Sequence, residues 1–332
     1  MGESLLLIDA YSQIFRAYYA IRQLNNAKGE PVNALFVFTR LLLKLEKSFP
    51  GTRGAMLFDC GKVDFRLKLA ADYKANRPPM PDSLKAQMPG IRELASAFGW
   101  PMLQCENYEA DDLIGALAKH CPDREIRIVS SDKDLSQLVD DRVAMLVPQN
   151  GSKGDFEVRG RAEVEAKFGV PPELVVDYLA LLGDNSDNIS GVPGIGPKSA
   201  AELLQSFGAV AQWVDDPPEA LRQSKFFKKL SGNLELLKRN LQLVALRTEL
   251  PANWQDHESL LQRKAPDWKL IREICERNQF NSIIKELPEP EKESPAPPPE
   301  TADEADDLFV FAERHQQKEL KNEKKCAQLE LF

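Results

Sequence analysis

Four short apolar runs constrain the first half of this chain: LLLI at 5–8, AMLF at 55–58, IRIV at 126–129 and AMLV at 144–147. They are continuous rather than alternating, and turn or polar residues bound them, as in strands covered on both faces. Between them lie NALFVFTRLLLKLEKSF (33–49), SLKAQMPGIRELASAFG (83–99, interrupted at Pro89) and EADDLIGALAKHC (109–121), which read as helices. Buried strands alternating with helices predict an α/β fold with a doubly wound parallel sheet. From about residue 160 the strand signals fade. AEVEAKFG, ELVVDYLALLG, KSAAELLQSFG and WKLIREICERNQF predict a helical second part.

Two of the runs end directly in an aspartate, Asp9 and Asp59, and IRIVSS is followed by Asp132 and Asp134. In open parallel sheets ligands sit beyond the carboxyl ends of the strands, so these acids converge on one crevice. Glu109, Asp111 and Asp112 open a predicted helix, where acids that complement the helix dipole are the plain alternative. Asp184 and Asp187 follow in GDNSDNISGVPGIGPK, residues 183–198. So many carboxylates raise one another's pKa unless a cation balances them. Oxygen-only ligands suit Mg²⁺ or Mn²⁺. Two such ions about 3.5–4 Å apart can stabilise the attacking and leaving oxygens of a phosphodiester. His120, His257 and His315 read as isolated surface residues. The five cysteines are scattered without a CxxC pair, which favours reduced thiols in a cytoplasm over zinc or disulfides.

The stretch 183–198 then changes character. GVPGIGPK is a tight turn with Pro197 at a helix start. The exposed amides around Gly191, Gly194 and Gly196, with Lys198, suit a phosphate held away from the cut. A plain helix–turn–helix packing turn is the alternative. The net charge of −8 looks hostile to nucleic acid, but residues 286–307 carry nine acids and one base. With the nine candidate metal ligands set aside, the rest of residues 1–285 stands at about +8, compatible with a phosphate backbone. PEPEKESPAPPPETADEADD has the composition of a disordered linker. No apolar run approaches the roughly 18 residues of a membrane helix, and MGESLLLIDA is not a signal peptide.

Together the motifs LLLIDAYSQIFRAYYA, GEPVNALFVFTR, FDCGKVDFR, YKANR, YEADDLIGALA, SSDKDLSQLV, LLGDNSDNISGVPGIGPKSAAELL and LRTELP resemble the 5′ nuclease family. That family includes the N-terminal 5′→3′ exonuclease domain of bacterial DNA polymerase I and its flap-endonuclease relatives. The resemblance covers about residues 4–287 and implies a PIN-like α/β nuclease core, a helical arch and a helix–three-turn–helix DNA clamp. It places Asp9, Asp59, Glu109 and Asp111 around a first metal. Asp112, Asp132, Asp134, Asp184 and Asp187 go around a second metal and its waters. It assigns Lys74 and Arg77 of YKANR to the scissile phosphate, and Arg16 and Tyr73 to the substrate's 5′ end. It also implies a potassium ion at the GVPGIG turn. One departure stands out: Ala10 and Tyr11 occupy the place of the family's usual small pair after the first aspartate.

The expected organisation is a nuclease core over 1–160 with an arch at about 62–81, a helical subdomain over 161–287, a linker over 288–327 and a terminal motif at 328–332. The arch carries Lys62, Arg66, Lys68, Lys74 and Arg77, a basic gateway for a single-stranded 5′ end; a solvated charged helix is its plain alternative. RQSKFFKKL (222–230) offers further duplex-backbone contacts or a simple helix surface. QLELF resembles the bacterial sliding-clamp-binding motif, with Gln328, Leu329, Leu331 and Phe332 as its contacts. With no proofreading or polymerase domains after it, the chain reads as a stand-alone cytoplasmic nuclease. It is expected to use Mg²⁺, replaceable by Mn²⁺, on DNA with 5′ flaps, nicks or RNA primers. Two rivals remain: a catalytically weak DNA-binding module, against which every matched carboxylate is present, and a PIN-like ribonuclease, against which GVPGIGPK speaks.

Overall fold

The four apolar runs form the centre of a six-stranded sheet in the computed structural model, which describes residues 4–149 and 156–289. They are β1 (Leu5–Asp9), β2 (Arg53–Leu57), β4 (Ile126–Val129) and β5 (Val143–Pro148). Two more strands complete the sheet: β3 (Met102–Leu103) and β6 (Phe156–Arg159). The order is β3-β2-β1-β4-β5-β6, parallel throughout except for β6, which pairs antiparallel with β5. β1 lies at the middle, with Ile8 in register with Met56 on one side and Val129 on the other.

Continuous apolar runs follow from burial on both faces. Leu5 and Leu7 of β1 join Leu57, Ile128 and Met145 in one cluster, with Leu113 and Leu117 of the helix Ala110–His120. Leu6 and Ile8 point the other way and join Met56, Phe58, Val129 and Leu146, with Leu42, Leu94 and Phe98. All four β1 leucine and isoleucine side chains are fully buried, each worth about 1.5–3 kcal/mol relative to exposure. Residues Met1–Pro288 form one compact unit. The helix Trp268–Arg277 belongs to the second apolar cluster, through Ile271 and Ile274. The end of the predicted helical part therefore returns to the sheet.

The helices at 33–48 and 110–120 match the sequence reading. Pro89 does not interrupt a helix. It sits in the first turn of Met88–Ala97, where its missing N–H costs nothing, after the separate short helix Asp82–Lys85. The expected arch is a short helix, Asp64–Leu69, followed by turns. Residues 290–327 of the expected linker and the 328–332 motif lie outside the described residues. No helix among the described residues is long and apolar enough to cross a membrane.

Candidate active site

Asp9 ends β1 and caps the next helix, Ala10–Ala20, accepting the Ser12 N–H on Oδ1 at 3.1 Å. Its Oδ2 accepts the Ser130 hydroxyl at 2.8 Å. Asp59, two residues beyond β2, accepts the Ala110 N–H at 2.7 Å and so ties β2 to the start of the 110–120 helix. Asp132 follows β4 and accepts the Asp134 N–H at 3.0 Å. These three acids and Asp111 line one cavity of about 360 Å³ beyond the strand ends, with Lys74 and Arg77 on its wall. Tyr11 lines it too, packed edge-on against Phe58 at 5.5 Å. The Ala10-Tyr11 departure therefore puts the Tyr11 side chain on the cavity lining while leaving the Asp9 cap intact.

The electrostatics suit a cation. Burial pushes Asp9 up to about 7 against the Ser130 hydrogen bond, with Asp132 and Asp59 adding to the rise. Asp111 is raised well above the ordinary carboxylate range by burial and by Asp9, Asp132 and Asp59. It makes no hydrogen bond or ion pair among the described residues. Burial, Asp132 and Asp184 push Asp134 up to about 7, and its buried Oδ1 has no hydrogen-bond partner among the described residues. An all-oxygen donor set with orphaned, mutually repelling carboxylates fits a hard divalent cation.

A second group of acids carries its own bases. Asp184 accepts Ser186 N–H and Oγ–H and pairs with Lys133 Nζ at 3.0 Å. Its pKa is lowered: burial opposes this, but Ser186 and Lys133 prevail. Asp187 pairs with Arg77. Lys74 Nζ lies 2.8 Å from Glu109 Oε1 and 3.8 Å from Asp187 Oδ2. Burial works against the Lys74 cation, yet those two carboxylates raise its pKa.

Several expectations need correction. Asp112 does not face the cavity. It is fully buried, and both its oxygens are taken by Arg66 Nη1 and Nη2 at 2.7 and 2.8 Å. Arg66 is correspondingly absent from the basic gateway, being 1% exposed. Tyr73 is buried as well. Its hydroxyl lies 3.1 Å from Glu109 Oε2 and 3.0 Å from Asp187 Oδ2, so it braces two acids instead of offering a surface for a 5′ end. Arg16 donates to the Pro148 carbonyl at the end of β5. Gly191 serves packing, since a Cβ there would sit 2.1 Å from the Leu182 carbonyl oxygen. The histidines and cysteines are less scattered than their spacing suggests. One ligand atom each from Cys121, His257 and Glu258 lies within 4.8 Å of the others, and the His257 ring packs against His120. Glu258 is already paired with Arg53 and Arg124, a setting that repels a cation.

The turn at 191–196 joins a two-stranded hairpin, Gly183–Asp184 with Ile189–Ser190, to the helix Pro197–Phe207. Gly194 has φ +79°, and its carbonyl accepts Lys229 Nζ at 2.7 Å, so the RQSKFFKKL stretch reaches this turn. Gly196 caps the helix and Lys198 is exposed.

The sequence matches the profile of the 5′-3′ exonuclease N-terminal resolvase-like domain over residues 4–169. Residues 170–269 match the 5′-3′ exonuclease C-terminal SAM fold. The 5′-3′ exonuclease of Aquifex aeolicus is 35% identical over 287 residues, covering 86% of this chain and 95% of that protein. The thermostable DNA polymerase I of Thermus caldophilus is 36% identical over 310 residues, 90% of this chain but 35% of the polymerase. The chain thus spans about a third of such polymerase relatives. Among solved structures, T5 5′-exonuclease with bound zinc superposes with a TM-score of 0.58 at 26% identity, covering 82% of this chain and 98% of that one. The catalytic core of Rad2 with DNA substrate shares the fold, with a TM-score of 0.56 at 18% identity over 86% and 92% of the two chains. With both profiles matched in tandem and a relative aligned along nearly its whole length, the chain belongs to the 5′-3′ exonuclease family.

Proposed function

We propose that this chain is a Mg²⁺-dependent 5′→3′ exonuclease and flap endonuclease that hydrolyses phosphodiesters in DNA and in RNA primers during replication and repair. The observation that carries the reading is the cavity where Asp9, Asp59, Asp111 and Asp132 meet Lys74 and Arg77. Divalent ions held by these acids, with Glu109, Asp134, Asp184 and Asp187 around them, would activate water and stabilise the departing 3′ oxygen. Lys74 and Arg77 grip the scissile phosphate once it displaces their carboxylate partners. Asp112 is left out of the ligand set. The turn around Gly194 and Gly196, with Lys198 and a potassium ion, holds the duplex backbone away from the cut. Residues 1–160 form the nuclease part and 161–287 the DNA-holding part. The tail motif Gln328, Leu329, Leu331 and Phe332 binds a sliding clamp through the 288–327 tether.

The test is incubation of the purified chain with end-labelled flap, nicked and single-stranded DNA, in Mg²⁺ or EDTA. Release of short 5′ products from flap and nicked substrates, abolished by EDTA, is the expected result. DNA binding without cleavage in Mg²⁺ or Mn²⁺ would instead support a non-catalytic module.

A further inference from the structure

Asp112 lies one residue from Asp111 and three from Glu109, whose N–H donates to its Oδ2 at 3.3 Å as a helix cap, while its remaining partners come from distant parts of the chain. Arg66 forks onto it, and Arg66 Nη1 also reaches Glu109 Oε2 at 3.2 Å. The same guanidinium donates to the carbonyls of Leu243 and Ala245 at 3.2 and 3.4 Å. The Arg247 N–H donates to Asp112 Oδ1 at 2.9 Å, and its side chain donates to the Asn107 carbonyl while lying 3.9 Å over the Tyr108 ring. Gln137 joins the loop of Asp132 and Asp134 to the same segment. Its Nε2 donates to the Asp134 and Val244 carbonyls at 2.9 and 3.1 Å, and its Oε1 accepts the Leu246 N–H at 3.0 Å.

Residues 243–248 therefore form a strap across the 110–120 helix. Gly115 admits it, because a Cβ there would meet the Arg247 carbonyl oxygen at 3.0 Å. Upstream, the strap continues the helix Leu234–Val244, whose Asn240 donates to the Ala180 and Ser190 carbonyls at the root of the 191–196 turn. The strap thus touches the helix start that carries Glu109 and Asp111, the loop that carries Asp132 and Asp134, and the element beneath the turn.

We propose that Arg66 and Asp112 are positioning residues, a buried fork that fixes Glu109 and Asp111 against the 243–248 strap. The inference rests on the reading of the carboxylate cluster as the metal site. A buried ion pair is a poor device for stability alone, since apolar residues of similar volume often serve as well or better. A two-point fork is directional, however, and groups that orient metal ligands typically govern affinity or rate by about 10–100-fold.

The decisive variant is Arg66→Met with Asp112→Leu, which removes both charges together so that neither is left buried alone. Four quantities are measured: melting temperature, Mn²⁺ affinity by calorimetry, Mg²⁺ dependence of flap cleavage, and flap-DNA Kd without divalent metal. The folded double variant is expected to bind Mn²⁺ about tenfold more weakly and to turn over roughly 10–100-fold more slowly. Its DNA Kd is expected to stay within about twofold of wild type, because the 191–198 turn keeps its own contacts. Wild-type Mn²⁺ affinity and turnover in the folded double variant would overturn the proposal. If that variant does not fold, the half-buried anchor decides: Gln137→Met is expected to weaken Mn²⁺ binding in the same direction, and an unchanged affinity overturns the strap. Failure of the wild-type protein to bind Mn²⁺ would count against the metal reading itself, a separate outcome.

Discussion

Lys74 Nζ lies 2.8 Å from Glu109 Oε1, so the lysine proposed to grip the scissile phosphate is paired with one of the cluster's own acids. Its backbone is also set: φ is +56°, and its N–H donates to the Asp187 carbonyl at 2.9 Å. A left-handed lysine costs of order 1 kcal/mol or more, which its surroundings must offset.

Lys74→Ala is expected to cut turnover at saturating Mg²⁺ by roughly 10²-fold, the scale of one positioned electrostatic group. Metal affinity should change little. Single-turnover kinetics across a Mg²⁺ titration checks this; a variant that needs more metal but keeps its maximal rate would place Lys74 with the ligands instead.

The pH response follows from Asp9 and Asp134, both raised to about 7, against about 4 in an unfolded chain. Each binds its proton more tightly when folded. The stability this gives is complete at pH below the unfolded value and is lost as pH rises from there through 7. In EDTA the melting temperature is expected to fall between pH 5 and 8, less so in Asp9→Asn with Asp134→Asn. Mg²⁺ added at pH 8 should restore it, and the Mg²⁺ concentration for half-maximal cleavage should rise as pH drops below 7. A metal-free melting temperature that climbs across this range in wild type but not in the double variant would contradict the assignment.

Gly191 and Lys198 sit in the same motif but should fail differently. Gly191→Ala forces a Cβ against the Leu182 carbonyl and is expected to destabilise the fold by about 1–3 kcal/mol, read by urea unfolding. Exposed Lys198 contacts no core. Lys198→Ala should leave unfolding unchanged and lower the salt dependence of duplex binding by about one released counterion. An unchanged salt slope removes it from the phosphate contacts.

Deleting residues 328–332 is expected to leave cleavage of free oligonucleotides untouched and to abolish capture on the immobilised sliding clamp. Leu331 and Phe332 would be the apolar anchors. If the proposed clamp motif binds, a flexible chain of 40 residues would span roughly 35 Å on average, at about 5–6 Å × √n, enough to hold a nuclease near the ring and raise its local concentration. Equal clamp binding by truncated and full-length chains would rule out the motif.

The central strands were legible because burial on both faces makes continuous apolar runs, and each aspartate's place at a strand end follows from that. β3 has two residues and β6 is an edge strand with exposed Glu157 and Val158; neither carries an apolar run to be seen. Residues near in sequence were the ones misjudged. Asp111 and Asp112 are adjacent acids, and their opposite fates depend on Arg66, 46 positions away, and on Arg247, 135 away. Tyr73 and Lys74 are likewise neighbours, and their burial is decided by Glu109 and Asp187. Cys121, His257 and Glu258 meet only through the fold.

Asp111 makes no hydrogen bond or ion pair among the described residues and is crowded by Asp9, Asp132 and Asp59, so it reports directly on whether the cluster is a metal centre. The measurement is flap-DNA cleavage by Asp111→Asn in saturating Mg²⁺, with flap-DNA Kd measured in parallel. Loss of cleavage by about 10³-fold or more with Kd within about twofold of wild type is the predicted result, since the ligand is lost while the remote DNA turn is intact. Cleavage by Asp111→Asn at the wild-type rate would contradict the assignment of the carboxylate cluster to metal-dependent catalysis.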